Sequence, residues 1–323
     1  MRERRKEQSR QIRSVTSGKG LALRAGPVGL EYELADNHKL EDDESPFFNG
    51  MELPPFPRYK ENPSKALTEI KDFPSRSSDI FICASLKSGS HWLYEIISML
   101  LSGKLEYSKD CVVNSHIDLV DFDMLNKKPD PRILHTHLPY SYLPAKHTEN
   151  EYKIVFMLRN PKDRAVSLFH FALGKGKKTP VDMPWSVYFE KRVMLDAGIF
   201  GGWYKYTREW ETQLRLSHGN IHVVYFEDLK RNFEDTVHKL ACFLEVERDR
   251  SFYRDLEKAC NINSMKQNKY DDTIAFDSLG RSTLYRKGEI GDWKHHFTVA
   301  QNEEFDEQYN KEMEGSELTF TYE

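Results

Sequence analysis

Three short apolar runs divide the middle of the chain, and a polar turn and a segment of helical periodicity follow each of them. The runs are Asp79–Ala84, Lys153–Leu158 and Ile221–Tyr225. Each has the length of one strand and is apolar at most positions, which is typical of a parallel strand buried on both faces. Repetition of this strand–turn–helix unit predicts an α/β domain with a central parallel β-sheet and helices on both of its faces.

The segments after the three runs predict helices. The first helix extends from His91 to about Ser102, the second begins at the Arg159–Asp163 turn, and the third follows Glu227 and extends to about Leu244. No internal repeat is visible in the sequence. A single domain over residues 46–323 therefore fits the length of 323 residues best.

The first 45 residues have a different pattern. Residues 1–20 carry seven Lys or Arg against two Glu, whereas residues 31–45 carry seven Asp or Glu against one Lys. Neither stretch has a periodicity that would bury one face, so residues 1–45 are predicted to form a flexible, charged leader. A transit peptide is the alternative, and Glu3 and Glu7 count against it.

Composition narrows the class of protein. Hydrophobic residues make up 39% of the chain and aromatic residues 12%, which excludes disorder throughout. The 47 Lys and Arg against 51 Asp and Glu disfavour a dedicated nucleic-acid-binding protein. The longest apolar run, Ile96–Leu101, is far shorter than the ~20 residues of a membrane-spanning helix. Four scattered cysteines (Cys83, Cys111, Cys242 and Cys260) predict reduced thiols and a cytoplasmic location.

The turn after the first run contains the residue types of an anion site. Ser85–Trp92 supplies a glycine, several hydroxyls and one lysine at a predicted helix start, where backbone N–H groups point outward. An ordinary glycine-containing turn with a solvated lysine is the alternative. The G-x-x-x-x-G-K-[ST] pattern is absent, which disfavours an ATPase or a P-loop kinase.

Two further segments suit phosphate binding. Asn160 and Pro161 fit the N-cap and first position of a helix, with Arg159 just before it and Ser167 roughly two turns along. A guanidinium and a hydroxyl near one helix start suit a phosphate, although both residues could instead be structural. In Arg286–Lys294 two cations lie beside two glycines, as in a lid that closes on an anion or in a solvated basic turn.

Taken together, these segments resemble the cytosolic sulfotransferase family, whose donor is 3′-phosphoadenosine 5′-phosphosulfate (PAPS). The family's first loop resembles Ser85–Trp92, its Arg-Asn-Pro-Lys-Asp motif is Arg159–Asp163, and its Arg-Lys-Gly-x-x-Gly-Asp-Trp-Lys motif is Arg286–Lys294. The resemblance begins at about Gly50 and extends to the C-terminus, and Phe297–Glu303 is most similar to the phenol-type branch. It implies the P-loop-like sulfotransferase fold and a PAPS-dependent enzyme.

The resemblance also implies residue roles on the donor side, and no metal is required. Lys87 would stabilise the charge that grows on the leaving phosphate, while Arg159 and Ser167 would hold the 3′-phosphate. The donor site would comprise Lys87, Ser88, Gly89, Ser90, His91, Trp92, Arg159, Ser167, Phe226, Cys260, Asn261, Ile262, Asn263, Ser264, Met265, Leu284, Tyr285, Arg286, Lys287 and Gly288.

On the acceptor side, Ile133–Pro139 resembles the family's Lys-Thr-His-Leu-Pro segment, which gives His137 the place of the catalytic histidine. Its imidazole would take the proton of a small phenol, alcohol or amine as that group attacks sulfur in line. By the same resemblance, His135, Thr136 and Phe171 would contact the acceptor.

Four positions depart from the family pattern. Leu86, His91, His135 and Phe226 stand where the family has Pro, Thr, Lys and Tyr. These departures favour an alternative reading, in which the chain is a non-catalytic protein of the same fold that binds PAPS, its desulfated product PAP or another small molecule.

One segment near the C-terminus predicts self-association. Lys294, Thr298, Val299 and Glu303 fit the spacing of the family's dimer segment, so the resemblance implies a homodimer through these residues. The alternative is that this segment is simply the start of a helix.

Overall fold

The computed structural model describes residues 45–109, 112–173, 183–269 and 284–323, and the backbone of a short antiparallel strand pair, Arg24–Ala25 and Leu30–Glu31. The chain divides into one unit of residues 1–39 and a second of residues 40–323. Apart from that strand pair, the predicted leader lies outside the described residues, as does Cys111. Cys83, Cys242 and Cys260 are free thiols.

The centre of the second unit is a parallel sheet of four strands in the order β2-β1-β3-β4. The three apolar runs form β1, β3 and β4, as predicted, and β2 lies in the segment of His135. The bounds of the strands are Ile80–Ala84 (β1), Ile133–Thr136 (β2), Ile154–Leu158 (β3) and Ile221–Tyr225 (β4). A two-residue antiparallel pair, Phe47–Phe48 and Met51–Glu52, precedes the sheet.

Helices surround the sheet, and among those of the described residues none is both long and apolar enough to span a membrane. Their bounds are Pro57–Glu61 (α1), Pro63–Lys71 (α2), Ser90–Ser102 (α3), Phe122–Asn126 (α4), Ala145–Glu149 (α5), Pro161–Leu173 (α6), Trp185–Tyr188 (α7), Trp203–Leu216 (α8), Phe226–Arg231 (α9), Phe233–Phe243 (α10), Arg250–Ala259 (α11), Ile262–Asn268 (α12) and Val299–Glu312 (α13). A π-helical turn, Phe189–Met194, continues α7.

The prediction of a single helix that extends to about Leu244 is wrong in one respect. The chain leaves the helical conformation at Asn232, with φ −136° and ψ 54°, and therefore forms two helices, α9 and α10. The predicted first helix begins one residue earlier than expected, at Ser90.

The two central strands, β1 and β3, are buried along their whole length, which explains why they are continuously apolar. In β1 and β3, alternate side chains point to opposite faces. Ile82 and Val155 pack into a core shared with α3, α10 and α11, whereas Phe81 and Phe156 pack into a second core that includes Trp210 of α8. Side chains that could bind a ligand are therefore expected at the ends of the strands.

A buried ion pair joins the amino ends of β1 and β2. Nε and Nη2 of Arg132 donate to the two carboxylate oxygens of Asp79 over 2.7 and 2.6 Å, and both side chains are completely buried. Asp79 also accepts from the backbone N–H of Arg76. Because neither charge reaches water, each depends on the other.

Replacement of Asp79 by Asn is expected to destabilise the protein by ~3–5 kcal/mol, since Arg132 would keep a buried charge without its partner. Chemical denaturation of both proteins measures this loss. Glu69→Gln is the control, because Glu69 pairs with Lys65 at an exposed position, where an ion pair contributes at most ~1 kcal/mol. Equal losses in the two variants would contradict the assigned role of the buried pair.

Candidate active site

A cavity of about 270 Å³ opens at the carboxyl ends of all four strands. Gly89 follows β1, His137 follows β2, Arg159 follows β3 and Phe226 follows β4, and all four residues line this cavity. Ligands bind at this edge in open parallel sheets because loops and helix N-termini meet there. The segments singled out in the sequence are therefore brought together in space.

The turn after β1 has an unusual backbone. Lys87 has φ +69° and Gly89 has φ +109°, both in the left-handed region. A Cβ atom on Gly89 would lie 2.7 Å from Cε of Met157 and 3.0 Å from a ring carbon of Phe226, so both side chains would have to shift, and φ +109° is itself strained for any other residue. The turn leads directly into the N-terminus of α3, where backbone N–H groups and the helix dipole favour an anion.

Arg159 is the most enclosed cation of the site. Its guanidinium lies 4.3 Å from the ring centre of Phe226 and donates to the backbone carbonyls of Lys87 and Glu289 over 3.3 and 3.2 Å. Among the described residues, its buried Nε has no hydrogen-bond partner. Burial lowers the pKa of Arg159, although nearby carboxylates oppose that effect. The arrangement suits an anion such as phosphate, which a guanidinium can bind through two oxygens.

Asp163 holds the Arg286–Lys294 segment against the start of α6. Its two carboxylate oxygens accept from the backbone N–H groups of Gly291 and Trp293 over 2.7 and 2.9 Å. Asn160 donates to the same carboxylate over 2.9 Å. Two segments that are far apart in the sequence thus form one wall of the cavity.

Asp292 binds the two cations of that segment. Arg286 and Lys287 both form ion pairs with its carboxylate, which is almost fully buried. Burial alone would raise the pKa of Asp292, but hydrogen bonds from Lys287 and Arg286 outweigh it and lower that pKa to about 2. Asp292 therefore stays ionised at physiological pH and holds both cations at the cavity.

His137 also lines the cavity, immediately after β2. Its Nδ1 is 2.7 Å from the carbonyl oxygen of Ala84, which accepts a hydrogen bond when Nδ1 carries the proton. This tautomer leaves Nε2 as the proton acceptor. Burial lowers the pKa of His137 to about 3, and neighbouring His116 adds to that effect. The ring is therefore neutral at physiological pH, because this pKa lies well below the ordinary value of a histidine.

The other predicted acceptor residues have different surroundings. His135 and Phe171 line the cavity, and Nζ of Lys87 lies 4.5 Å from the ring centre of Phe171. Thr136 does not line it: its hydroxyl donates to Asp118 over 2.8 Å and accepts from the backbone N–H of Leu138. The geometry gives Thr136 a structural contact instead of an acceptor contact.

Most of the predicted donor residues line the cavity, and three of them do not. Ser88 points inward to Ser85, with 2.9 Å between their Oγ atoms, and Asn263 and Ser264 donate their backbone N–H groups to Asn261 at the start of α12. These three residues do not line the cavity. The predicted donor residues that do line it are Lys87, Gly89, Ser90, His91, Trp92, Arg159, Ser167, Phe226, Cys260, Asn261, Ile262, Met265, Leu284, Tyr285, Arg286, Lys287 and Gly288.

Sequence reasoning gave no role to three residues that the geometry makes prominent. Asp163 and Asp292 stand inside quoted motifs, so their positions beside cations were available as a signal. His116 has no such signal: it lies outside every motif, and an isolated bridge to His135 brings it to β2. Its ring lines the cavity beside His137.

Fold and site together define an α/β transferase with a nucleotide-type anion site, and comparisons identify the family. A model of the sulfotransferase domain matches residues 77–317. Sulfotransferase 1B1 of Canis lupus familiaris is 35% identical over 269 residues, covering 78% of this chain and 88% of that protein. Cytosolic sulfotransferase 1 of Danio rerio is 31% identical over 272 residues, covering 78% and 88%.

A solved structure agrees with these relatives. The crystal structure of mouse sulfotransferase SULT7A1 complexed with PAP has a TM-score of 0.66 and 28% identity, and the match covers 78% of this chain and 90% of that one. The chain belongs to the sulfotransferase family. The predicted family, fold class and enzyme class are thereby confirmed, and the PAP in that neighbour agrees with the predicted donor.

Replacement of Asp163 by Asn should weaken PAP binding about tenfold or more. It removes the charge that accepts from two part-buried backbone N–H groups, and hydrogen bonds to charged groups contribute ~1.5–3 kcal/mol. Calorimetric titration with PAP measures the effect.

Asp235→Asn is the matched control, because Asp235 occupies the same third position of α10 and is exposed. If both variants bind PAP as the wild type does, Asp163 does not hold the cavity wall.

Proposed function

We propose that the chain transfers the sulfuryl group from PAPS to the hydroxyl or amine of a small acceptor such as a phenol or an alcohol, with His137 as general base. One observation carries this proposal: Lys87, Arg159 and His137 line the same cavity, and the contact of His137 with Ala84 leaves Nε2 as a proton acceptor.

On the donor side, the surroundings of Arg159 support a role in binding the 3′-phosphate. Its buried Nε can donate to a phosphate oxygen, and Ser167 lines the cavity two turns along α6. Arg286 and Lys287 would close over the same phosphate, which would share them with Asp292. Lys87 would neutralise charge on the 5′-phosphate that leaves.

The chemical step is an in-line displacement at sulfur. The acceptor oxygen forms a bond to sulfur, the bond between sulfur and the phosphate oxygen breaks, and its electron pair leaves with PAP. The acceptor proton passes to Nε2 of His137. The low pKa of His137 makes its imidazolium costly in the empty cavity, but the negative charge of the bound donor would offset that cost.

The lining of the cavity supports a small acceptor with apolar surface. Phe56, Val113, Leu119 and Phe171 contribute apolar walls to the cavity, which suit an acceptor with apolar surface. The shared fold and the charged donor end do not distinguish among phenols, alcohols and amines.

A non-catalytic binding protein is the second candidate. Its support comes from two positions, 91 and 135, at which this chain has histidine and the family pattern has another residue. Both ring nitrogens of His135 and Nδ1 of His91 are buried without a hydrogen-bond partner among the described residues. In that case the chain would bind PAP tightly and transfer nothing.

The test is transfer of labelled sulfate from PAPS to a panel of phenols, steroids, catecholamines and aliphatic alcohols. The wild type should form product, and His137→Ala should be slower by ~10²–10⁴, the usual contribution of a general base. PAP affinity should change only a few-fold, because His137 lies outside the donor end.

His218→Gln serves as control, since His218 is an exposed histidine that pairs with Glu151. Tight PAP binding by the wild type without product from any acceptor would favour the binding protein. Full activity of His137→Ala would exclude His137 as the base.

We further propose a homodimer through Lys294, Thr298, Val299 and Glu303. Val299 is 77% exposed at the first turn of α13, and Thr298 fixes this helix start through a capping box with Gln301. Lys294 and Glu303 are exposed beside it. In a twofold contact the same patch faces itself, so residues of opposite charge can pair across it.

Val299→Glu should convert the dimer to a monomer, because it places two carboxylates at the centre of the contact. Light scattering measures the mass of both proteins. Leu216→Glu is the matched control, since Leu216 is 65% exposed at the end of α8. A wild type at the monomer mass would refute the dimer.

We propose that the protein acts in the cytosol. The support is the relative from Danio rerio, which is named a cytosolic sulfotransferase, together with the predicted reduced thiols.

A further inference from the structure

Three imidazole rings converge on the acceptor side of the cavity. His135 lies on β2, His137 follows that strand, and His116 follows a 3₁₀ turn, Val112–Ser115. The ring centres are 4.5, 4.6 and 5.2 Å apart, and one nitrogen from each ring lies within 4.8 Å of the others. All three rings line the cavity. The proposed reaction uses only one of them.

One of these rings has the outer contact that metal-binding histidines usually have, and a second lies beside a carboxylate. Nδ1 of His137 lies 2.7 Å from the carbonyl oxygen of Ala84. Nδ1 of His116 lies 3.1 Å from a carboxylate oxygen of Asp118, which is an ion-pair distance without the geometry of a hydrogen bond. Thr136 holds that carboxylate in place. A carbonyl or carboxylate on one ring nitrogen orients the other nitrogen toward an ion.

The third ring lacks any partner of its own. His135 is 1% exposed, and neither of its ring nitrogens has a hydrogen-bond partner among the described residues. A buried polar group left without a partner destabilises the folded protein. A ligand between the three rings would satisfy one of these nitrogens.

We propose that His116, His135 and His137 bind one divalent transition-metal ion of the zinc type, whose fourth coordination position faces the cavity, and that the bound ion inhibits sulfuryl transfer. Imidazole nitrogens suit zinc, copper and nickel, and three histidines with one open position form a known kind of zinc site. Zn–N bonds of ~2.0–2.1 Å place tetrahedral ligands ~3.4 Å apart, so side-chain shifts of about 1 Å complete the site.

Inhibition rests on the proposed function, whereas binding does not. A lone pair on Nε2 of His137 that is donated to a metal ion cannot accept the proton of an acceptor. The ion would also occupy the space that the acceptor needs beside His137. Zinc should therefore compete with the acceptor and leave the donor end, with Arg159 and Lys87, accessible.

Binding is tested on the untagged full-length chain by titration with Co²⁺, followed by its visible d–d absorption, and with Zn²⁺ by calorimetry. One ion should bind per chain, with the absorption of tetrahedral cobalt. His116→Gln and His135→Asn should each weaken binding at least tenfold. PAP binding, measured on each variant, distinguishes the loss of a ligand from failure to fold.

His238→Gln is the control for adventitious surface binding, because His238 lies 3.8 Å from the thiol of Cys242. It should bind Co²⁺ as the wild type does. The proposal is overturned if no ion binds, if folded His116→Gln and His135→Asn bind it as tightly as the wild type, or if His238→Gln abolishes binding.

Inhibition is tested by adding Zn²⁺ to the transfer assay, with each protein compared with its own metal-free rate. Wild-type activity should fall at least tenfold at saturating Zn²⁺, be restored by a chelator and show competition with the acceptor. His116→Gln should resist the same concentration. Activation by Zn²⁺, or equal inhibition of both proteins, would overturn the inhibitory role. If no acceptor reacts, the proposed function fails, and the Co²⁺ titration alone decides the metal site.

Discussion

The turn between β1 and α3 packs so closely against β3 and α9 that residue 89 has no space for a side chain. A Cβ on Gly89 would contact Met157 and Phe226 at 2.7 and 3.0 Å. This approach brings the carbonyl of Lys87 to the guanidinium of Arg159, which also lies over the ring of Phe226. Glycine at this position therefore allows the close approach of the turn, which places the proposed phosphate-binding lysine and arginine side by side.

Carboxylates organise the cations that would bind the donor. Asp163 fixes the backbone of the Arg286–Lys294 segment, and Asp292 pairs with its two cations. The neighbouring positive charges at the cavity would repel one another without these partners. A phosphate bound by these cations would compete with Asp292, so part of its binding energy would replace an existing ion pair.

The sequence was sufficient to predict the strands and turns whose formation depends on residues close together in the chain. Strands β1 and β3 were predictable because burial on both faces leaves an apolar run. β4 is a half-buried edge strand, and it was predictable from its short apolar run followed by a turn and a helix. The donor turns were predictable because helix starts have local patterns. Contacts between segments that are distant in the sequence were not predictable. His116 contacts His137 only in the folded chain, and Asp163 binds Gly291 and Trp293, which lie 128 and 130 positions further along the sequence. Motifs also do not say which way a side chain points, as Thr136 demonstrates.

The surroundings of His137 connect its proposed base role with the proposed metal site. The pocket that keeps its ring neutral, with a pKa of about 3, preserves a lone pair on Nε2 that either a proton or a metal ion can use. In the family pattern that the chain resembles, position 135 carries Lys, whose ammonium would repel a metal ion. His135 removes that charge and adds a buried nitrogen without a partner. Histidine in place of lysine at position 135 thus removes a charge that would repel a metal ion and supplies a nitrogen that could bind one. Both effects occur beside His137, where the acceptor would lose its proton.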